Sequence, residues 1–260
     1  MGADRGGLEA ILRSIAGKPF GLFISVGALT AFAWGYLVFL ASSSMTMGSA
    51  FAMPMSSEWS RSQALLMVFM WTAMMVAMML PTSLPMLAAY ERALGSAHPS
   101  RFSLVSAFAV GYLAVWIAFA TAATGLQWVL HDRALTSGMG VLLDPWLVSV
   151  VLIVAGIYEF TPAKMTMLGS CRTPLGFLAT EWREGRSGAL LMGAAHGRSC
   201  LGCCWALMLL LFVLGVMNLL WVLALSGLIA VEKLTQSAVV PRLVGGLLVV
   251  SGITVFMVST

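Results

Sequence analysis

Charge is scarce in this sequence: Asp, Glu, Lys and Arg make up only 9% of 260 residues. A water-soluble domain carries roughly 25% charged residues, because its surface has to face water. So little polar material cannot cover such a surface, and a soluble enzyme is excluded. No Walker motif, no glycine-rich dinucleotide fingerprint and no pump-type aspartate signature occurs, which argues against ATP-driven transport by this chain alone. No Cys-x-x-Cys-His is present to attach a c-type haem. A bis-histidine haem between helices needs two facing histidines, and of His98, His131 and His196 only the last falls within an apolar run. The net charge of +4 is spread over short loops. A dense basic stretch is missing, so nucleic acid is not an expected partner. The four cysteines, at positions 171, 200, 203 and 204, lack the spacing of a disulfide framework.

What is abundant is apolar: 60% of residues are hydrophobic and the mean hydropathy is +0.96. The solvent for this surface is lipid. Runs long enough to span a bilayer occur at Phe20–Leu40, Ala64–Ala89, Phe102–Leu130, Pro145–Met167, Ala189–Leu214, Val216–Val231 and Leu243–Val258. The fifth and sixth form a nearly continuous stretch, with Gly215 and Asn218 supplying the turn between them. The first run is longer than a secretory signal core and reads as an uncleaved helix. The expectation is an all-α, polytopic transmembrane bundle of seven spans, with residues 1–260 forming one membrane domain.

Orientation follows from the excess of Lys and Arg in cytoplasmic loops. With the N-terminus inside, the inner segments hold eleven basic residues, including Lys164 and Lys233, and the outer loops hold two, Arg61 and Arg133. The N-terminus is expected in and the C-terminus out.

The fifth span carries His196-Gly197-Arg198-Ser199-Cys200-Leu201-Gly202-Cys203-Cys204-Trp205. On a helix His196, Cys200 and Cys203 or Cys204 share one broad face. Imidazole and thiolate bind copper and zinc, and thiolates suit Cu(I). Counted from Ala189, Cys200 lies roughly 16 Å into the span, near mid-bilayer, where polar groups are costly and usually functional. His196 and Cys203 are about 10.5 Å apart along the axis, too far for one ion. The expected core pair is therefore Cys200 with Cys203 or Cys204, completed by Met74, Met78 or Glu159 from neighbouring helices. His196 serves a second site or a relay.

Arg198 also falls within the fifth span, and Glu159 in the fourth lies at matching depth, so a buried Glu159–Arg198 ion pair is expected. In the second span Met67, Met70, Met74 and Met78 form a stripe at helical spacing, which packing alone also explains. Pro81 and Pro85 interrupt that helix, and broken helices line cavities. The outer loop holds Met45-Thr46-Met47 and Met53-Pro54-Met55, whose alternate residues offer paired thioethers in an extended chain. At the inner end of the fourth span stand Met167 and, shortly after, Cys171. These Met pairs, Met167 and Cys171 are the candidate ways in or out for an ion.

Several blocks together resemble a bacterial family of predicted metal-binding integral membrane proteins of unknown function. They are Trp71 to Pro81, Cys171-Arg172-Thr173-Pro174-Leu175-Gly176-Phe177, His196-Gly197 with Cys200-Leu201-Gly202-Cys203-Cys204-Trp205, Gly215-Val216-Met217-Asn218, and Glu232-Lys233. The likeness runs from about Leu65 to Lys233. It implies metal and a multi-pass place in the bacterial inner (cytoplasmic) membrane. The family's frequent second cysteine ahead of Cys171 is missing here, where Met165, Met167 and Leu168 stand instead. The leading reading is copper handling: Cu(I) moved or delivered to a membrane or periplasmic protein partner, with zinc as the other metal these ligands suit. Two alternatives remain at this point. One is a thiol or quinone-linked redox enzyme using the Cys200–Cys203 spacing. The other is a structural subunit of a larger membrane complex.

Overall fold

The computed structural model describes residues 20–46, 60–95, 98–137 and 140–259. Among the described residues the chain folds into α-helices, and no strand forms beyond one isolated bridge between Thr136 and Leu142. The helices are α1 (Phe20–Thr46), α2 (Arg61–Met79), α3 (Leu84–Leu94), α4 (Arg101–Asp132), α5 (Pro145–Tyr158), α6 (Pro162–Arg172), α7 (Pro174–Glu181), α8 (Gly185–Leu214), α9 (Leu219–Leu234) and α10 (Val239–Ser259).

Local chemistry sets most of these limits. Ser60 and Gln63 form a reciprocal capping box that starts α2. Pro81 and Pro85 break the second apolar run, leaving a 3₁₀ turn over Pro81–Ser83 before α3. Thr161 caps a new helix with Pro162 in its first turn, so the fourth apolar run is two helices, α5 and α6, bent by 63°. The expected single, continuous fourth span is thus a bent pair of helices. Gly215, at φ +95°, ends α8, and Asn218 precedes α9, so the fifth and sixth runs divide at the expected turn.

Five helices, α1, α2, α4, α8 and α10, are long and apolar enough to cross a membrane, and the α5–α6 pair supplies a sixth crossing if it counts as one span. At 16 residues, α9 is shorter than the roughly 20 that a span needs. The exterior is apolar: Phe32, Phe102, Leu220, Leu247 and Met257 all point outward. That apolar exterior is the surface of a membrane protein.

In α8 the helix that carries the cysteines packs most closely on α4. A Cβ at Gly193 would run into the backbone of Phe108, and one at Gly111 into the backbone of Leu190. The two helix backbones therefore touch, the close approach that small residues permit between membrane helices. The same device joins α5 to α10, where a Cβ at Gly156 would lie 2.7 Å from the Gly245 carbonyl oxygen.

Candidate functional site

Because α8 is pressed against α4 and flanked by α6, its cysteine-bearing face turns inward. His196, Cys200, Cys203 and Cys204 are all buried. The Cys203 and Cys204 thiols donate back to the Cys200 carbonyl, at 3.0 and 2.9 Å. From α6, Cys171 packs against the buried core that contains Cys200, Cys203 and Cys204. All four are free thiols. Four thiols from two helices thus gather in one core cluster.

Cys200 is its most connected member. Its sulfur lies 3.1 Å from the Tyr112 hydroxyl of α4 and 3.0 Å from the Lys233 ammonium of α9. The Tyr112 hydroxyl also donates to the Met79 carbonyl at 3.0 Å. Lys233 further donates to the Thr82 hydroxyl at 3.0 Å, and its nitrogen is 3.7 Å from the Met79 sulfur. Among the described residues no three His, Cys, Asp or Glu side chains converge on one point as they stand. The geometry gives the reason: two thiols are turned onto a backbone carbonyl, and an ammonium occupies the open side of the third. Soft sulfur donors nevertheless suit Cu(I). The set fits that ion in chemistry, and rotation about the Cys203 and Cys204 side chains is what would bring their sulfurs together.

His196 lies in an aromatic cage. Its ring stacks on Tyr112 (centroids 5.6 Å apart), meets Phe177 edge-on at 5.5 Å and faces Phe108 at 6.2 Å. Its Nδ1 is buried without a hydrogen-bond partner. Tyr112 links His196 to Cys200, since its ring stacks on the imidazole and its hydroxyl contacts the sulfur.

The expected Glu159–Arg198 pair is not formed. Glu159, at the C-terminal end of α5, pairs with Lys164 of α6, and Lys164 also binds Glu232 of α9 at 2.8 Å. All three are buried. Arg198 is exposed and lines a groove of about 440 Å³ between α6, α7 and α8. Matching depth was not enough, because the two residues lie on helix faces turned to different neighbours. Glu159 consequently belongs to a separate charge cluster and does not complete the thiol set.

Met74 and Met78 are buried with the rest of the α2 methionines in the core that contains the cysteines. The α2 sulfur that approaches the Cys200 surroundings is that of Met79. Met167 is partly exposed in the wall of the Arg198 groove, and its side chain packs against Gly202. Cys171 is intermediate in exposure and packs against the core that contains the other three cysteines. Met47, Met53 and Met55 lie outside the described residues, and Met45 is in the last turn of α1 with its side chain outside them. Cys200 is midway along α8, yet its partner Lys233, and Met79 beside Lys233, sit in the last turns of α9 and α2. The cluster therefore lies level with two helix ends, which counting along α8 alone does not reveal.

Lys233, Lys164, Tyr112, Thr82 and Met79 escaped the sequence reading as site residues. Lys164 and Lys233 were counted as inner-loop charges, but both are buried. A signal was available: Glu232-Lys233 closes an otherwise apolar run, and an ionisable pair there calls for partners.

Residues 68–255 match a family model, PpoB2, described as a copper chaperone. The matched segment contains all four cysteines together with Met79, Tyr112, His196 and Lys233. No curated protein and no solved structure matches the chain. With well over half its length matched, thiol cluster included, the chain belongs to the PpoB2 copper chaperone family.

Proposed function

We propose that this membrane protein holds Cu(I) in its buried thiol cluster and passes it to a protein partner, without ATP and without chemical turnover. The observation that carries the reading is the burial of Cys200, Cys203 and Cys204 within two turns of α8, with Cys171 of α6 packed against the same core. Thiolates are the ligands Cu(I) prefers, and a water-poor interior guards such an ion. Loading turns Cys203 or Cys204 off the Cys200 carbonyl toward the Cys200 sulfur, with loss of the thiol proton. Met167 and Cys171 then form the way between cluster and groove, so a membrane protein partner docking over that groove meets sulfur at its wall.

The reading includes a placement in the bacterial inner membrane. The α5–α6 pair is one broken span and the short α9 is the seventh, held by its neighbours rather than by length. The N-terminus is inside, from the Lys and Arg bias. Lys164 and Lys233 drop out of that bias because they are buried, which leaves nine inner basic residues of the eleven against two outer ones.

Metal analysis of the protein purified in detergent under reducing conditions tests this. The wild type is expected to bind Cu(I) with sub-micromolar affinity, and the variant with Cys200, Cys203 and Cys204 all changed to Ser to bind none. Cys200→Ser alone should abolish binding, while His196→Ala should leave most of it. A wild type that takes up no copper ends the proposal.

A further inference from the structure

We infer that the Lys233 ammonium is a stand-in for the cargo: it occupies the cation position beside Cys200 and Met79 in the copper-free protein, and Cu(I) displaces it. The inference rests on the copper reading and adds how the empty site is held. The Lys233 nitrogen lies 3.0 Å from the Cys200 sulfur and 3.7 Å from the Met79 sulfur. A monovalent cation thus sits between a thiol and a thioether, the two kinds of sulfur ligand that favour Cu(I). In a buried setting a sulfur that ionises needs a positive partner close by, and the ammonium provides one without any metal.

Space makes displacement the natural loading step. The ammonium stands 3.0 Å from the Cys200 sulfur and 3.7 Å from the Met79 sulfur, so an ion bonded to these sulfurs needs the position that it fills. The thiol proton given up on loading offsets the charge of the entering Cu(I), and no electron moves.

The structure also offers Lys233 somewhere to go. Its third contact is the Thr82 hydroxyl at 3.0 Å, and Thr82 stands in the wall of an adjoining space. This cavity of about 300 Å³ is bounded by Pro81, Thr82, Leu84, Pro85, Ala230 and Lys233 itself. The flexible butyl stem can swing into it with Thr82 as its remaining partner, consistent with the behaviour of long lysine side chains near helix ends.

Two measurements test the inference with Cu(I), supplied anaerobically through a chromogenic chelator, as the probe. In the wild type, Lys233 should become more reactive to a small amine-acylating reagent when Cu(I) is loaded, read by mass spectrometry against the same protein without metal. Unchanged or lower labelling overturns it. Lys233→Met should bind Cu(I) tighter, by about tenfold or more, because no ammonium has to be displaced. Weaker binding would make Lys233 a counter-ion of the loaded site and overturn the inference. If Lys233→Met does not fold, the wild-type labelling decides alone. A wild type that binds no Cu(I) refutes the copper reading first, and so the two failures are distinguishable.

Discussion

Glu232 and Lys233 are neighbours in the chain, yet they serve two different buried centres. The Glu232 carboxylate accepts from Lys164 at 2.8 Å, while the Lys233 ammonium lies 3.0 Å from the Cys200 sulfur. Consecutive residues on a helix point about 100° apart, so one turn of α9 reaches two sets of neighbours. The Glu232 side meets α5 and α6; the Lys233 side meets α2 and α8. Arg172 adds a clamp by donating to the Glu232 carbonyl at 2.9 and 2.7 Å, which pins this turn to the end of α6. Through these contacts a helix too short to be held by lipid alone is fixed in the bundle by its charges.

The charge cluster has two carboxylates for one ammonium, and this asymmetry predicts unequal mutational costs. Lys164→Met leaves two buried carboxylates facing each other and should destabilise the protein by about 3–5 kcal/mol. Glu232→Gln leaves a matched Glu159–Lys164 pair and should cost much less, on the order of 1 kcal/mol. Denaturant unfolding in detergent compares the two directly. An equal or larger loss for Glu232→Gln would show that the carboxylates, and not the lysine, are in short supply.

His196 makes a separate prediction. Its Nδ1 is buried and unpartnered, and its ring packs among Phe108, Tyr112 and Phe177. Replacing an unsatisfied polar group by an apolar one of similar shape is near neutral or stabilising. His196→Phe should therefore leave stability unchanged or raised, and copper stoichiometry largely intact. Loss of all bound copper in a folded His196→Phe protein would assign the imidazole as a ligand.

The α4–α8 contact depends on the absence of a side chain at Gly193. Gly193→Ala forces two backbones apart and should lower stability by at least the 1–3 kcal/mol typical of overpacking. Gly125→Ala, on the same α4 but with open space around its Cβ position, should be neutral or slightly stabilising. The same unfolding assay reads both. Similar values for the two would mean that α4 and α8 pack less tightly than their glycines imply.

Much of this protein was legible in its sequence, for identifiable reasons. Apolar runs longer than 17 residues have few other uses, so the membrane class and most helix positions followed directly. Prolines and glycines act locally: Pro81, Pro85 and Gly215 marked their breaks in advance. Pro162 carried the same signal, and the bend between α5 and α6 was still missed although Glu159, Thr161 and Lys164 flank it. The cysteine motif announced a thiol face through its spacing alone. Partner choice was not legible in the same way. Depth along separate helices paired Glu159 with Arg198, but depth carries no information about which way a helix is rotated.

By itself the sequence determined the solvent, the helical class and most of the breaks, because each depends on residue type and on periodicity within one segment. Tertiary structure decided which charges meet. It turned Arg198 out to a groove, gave Glu159 to Lys164, packed Cys171 against the core of the α8 thiols and set Lys233 beside Cys200. Those outcomes rest on helix rotation and on close approach at Gly111 and Gly193. Lipid cannot satisfy a buried charge, so each one bonds to whatever neighbour that packing brings within reach.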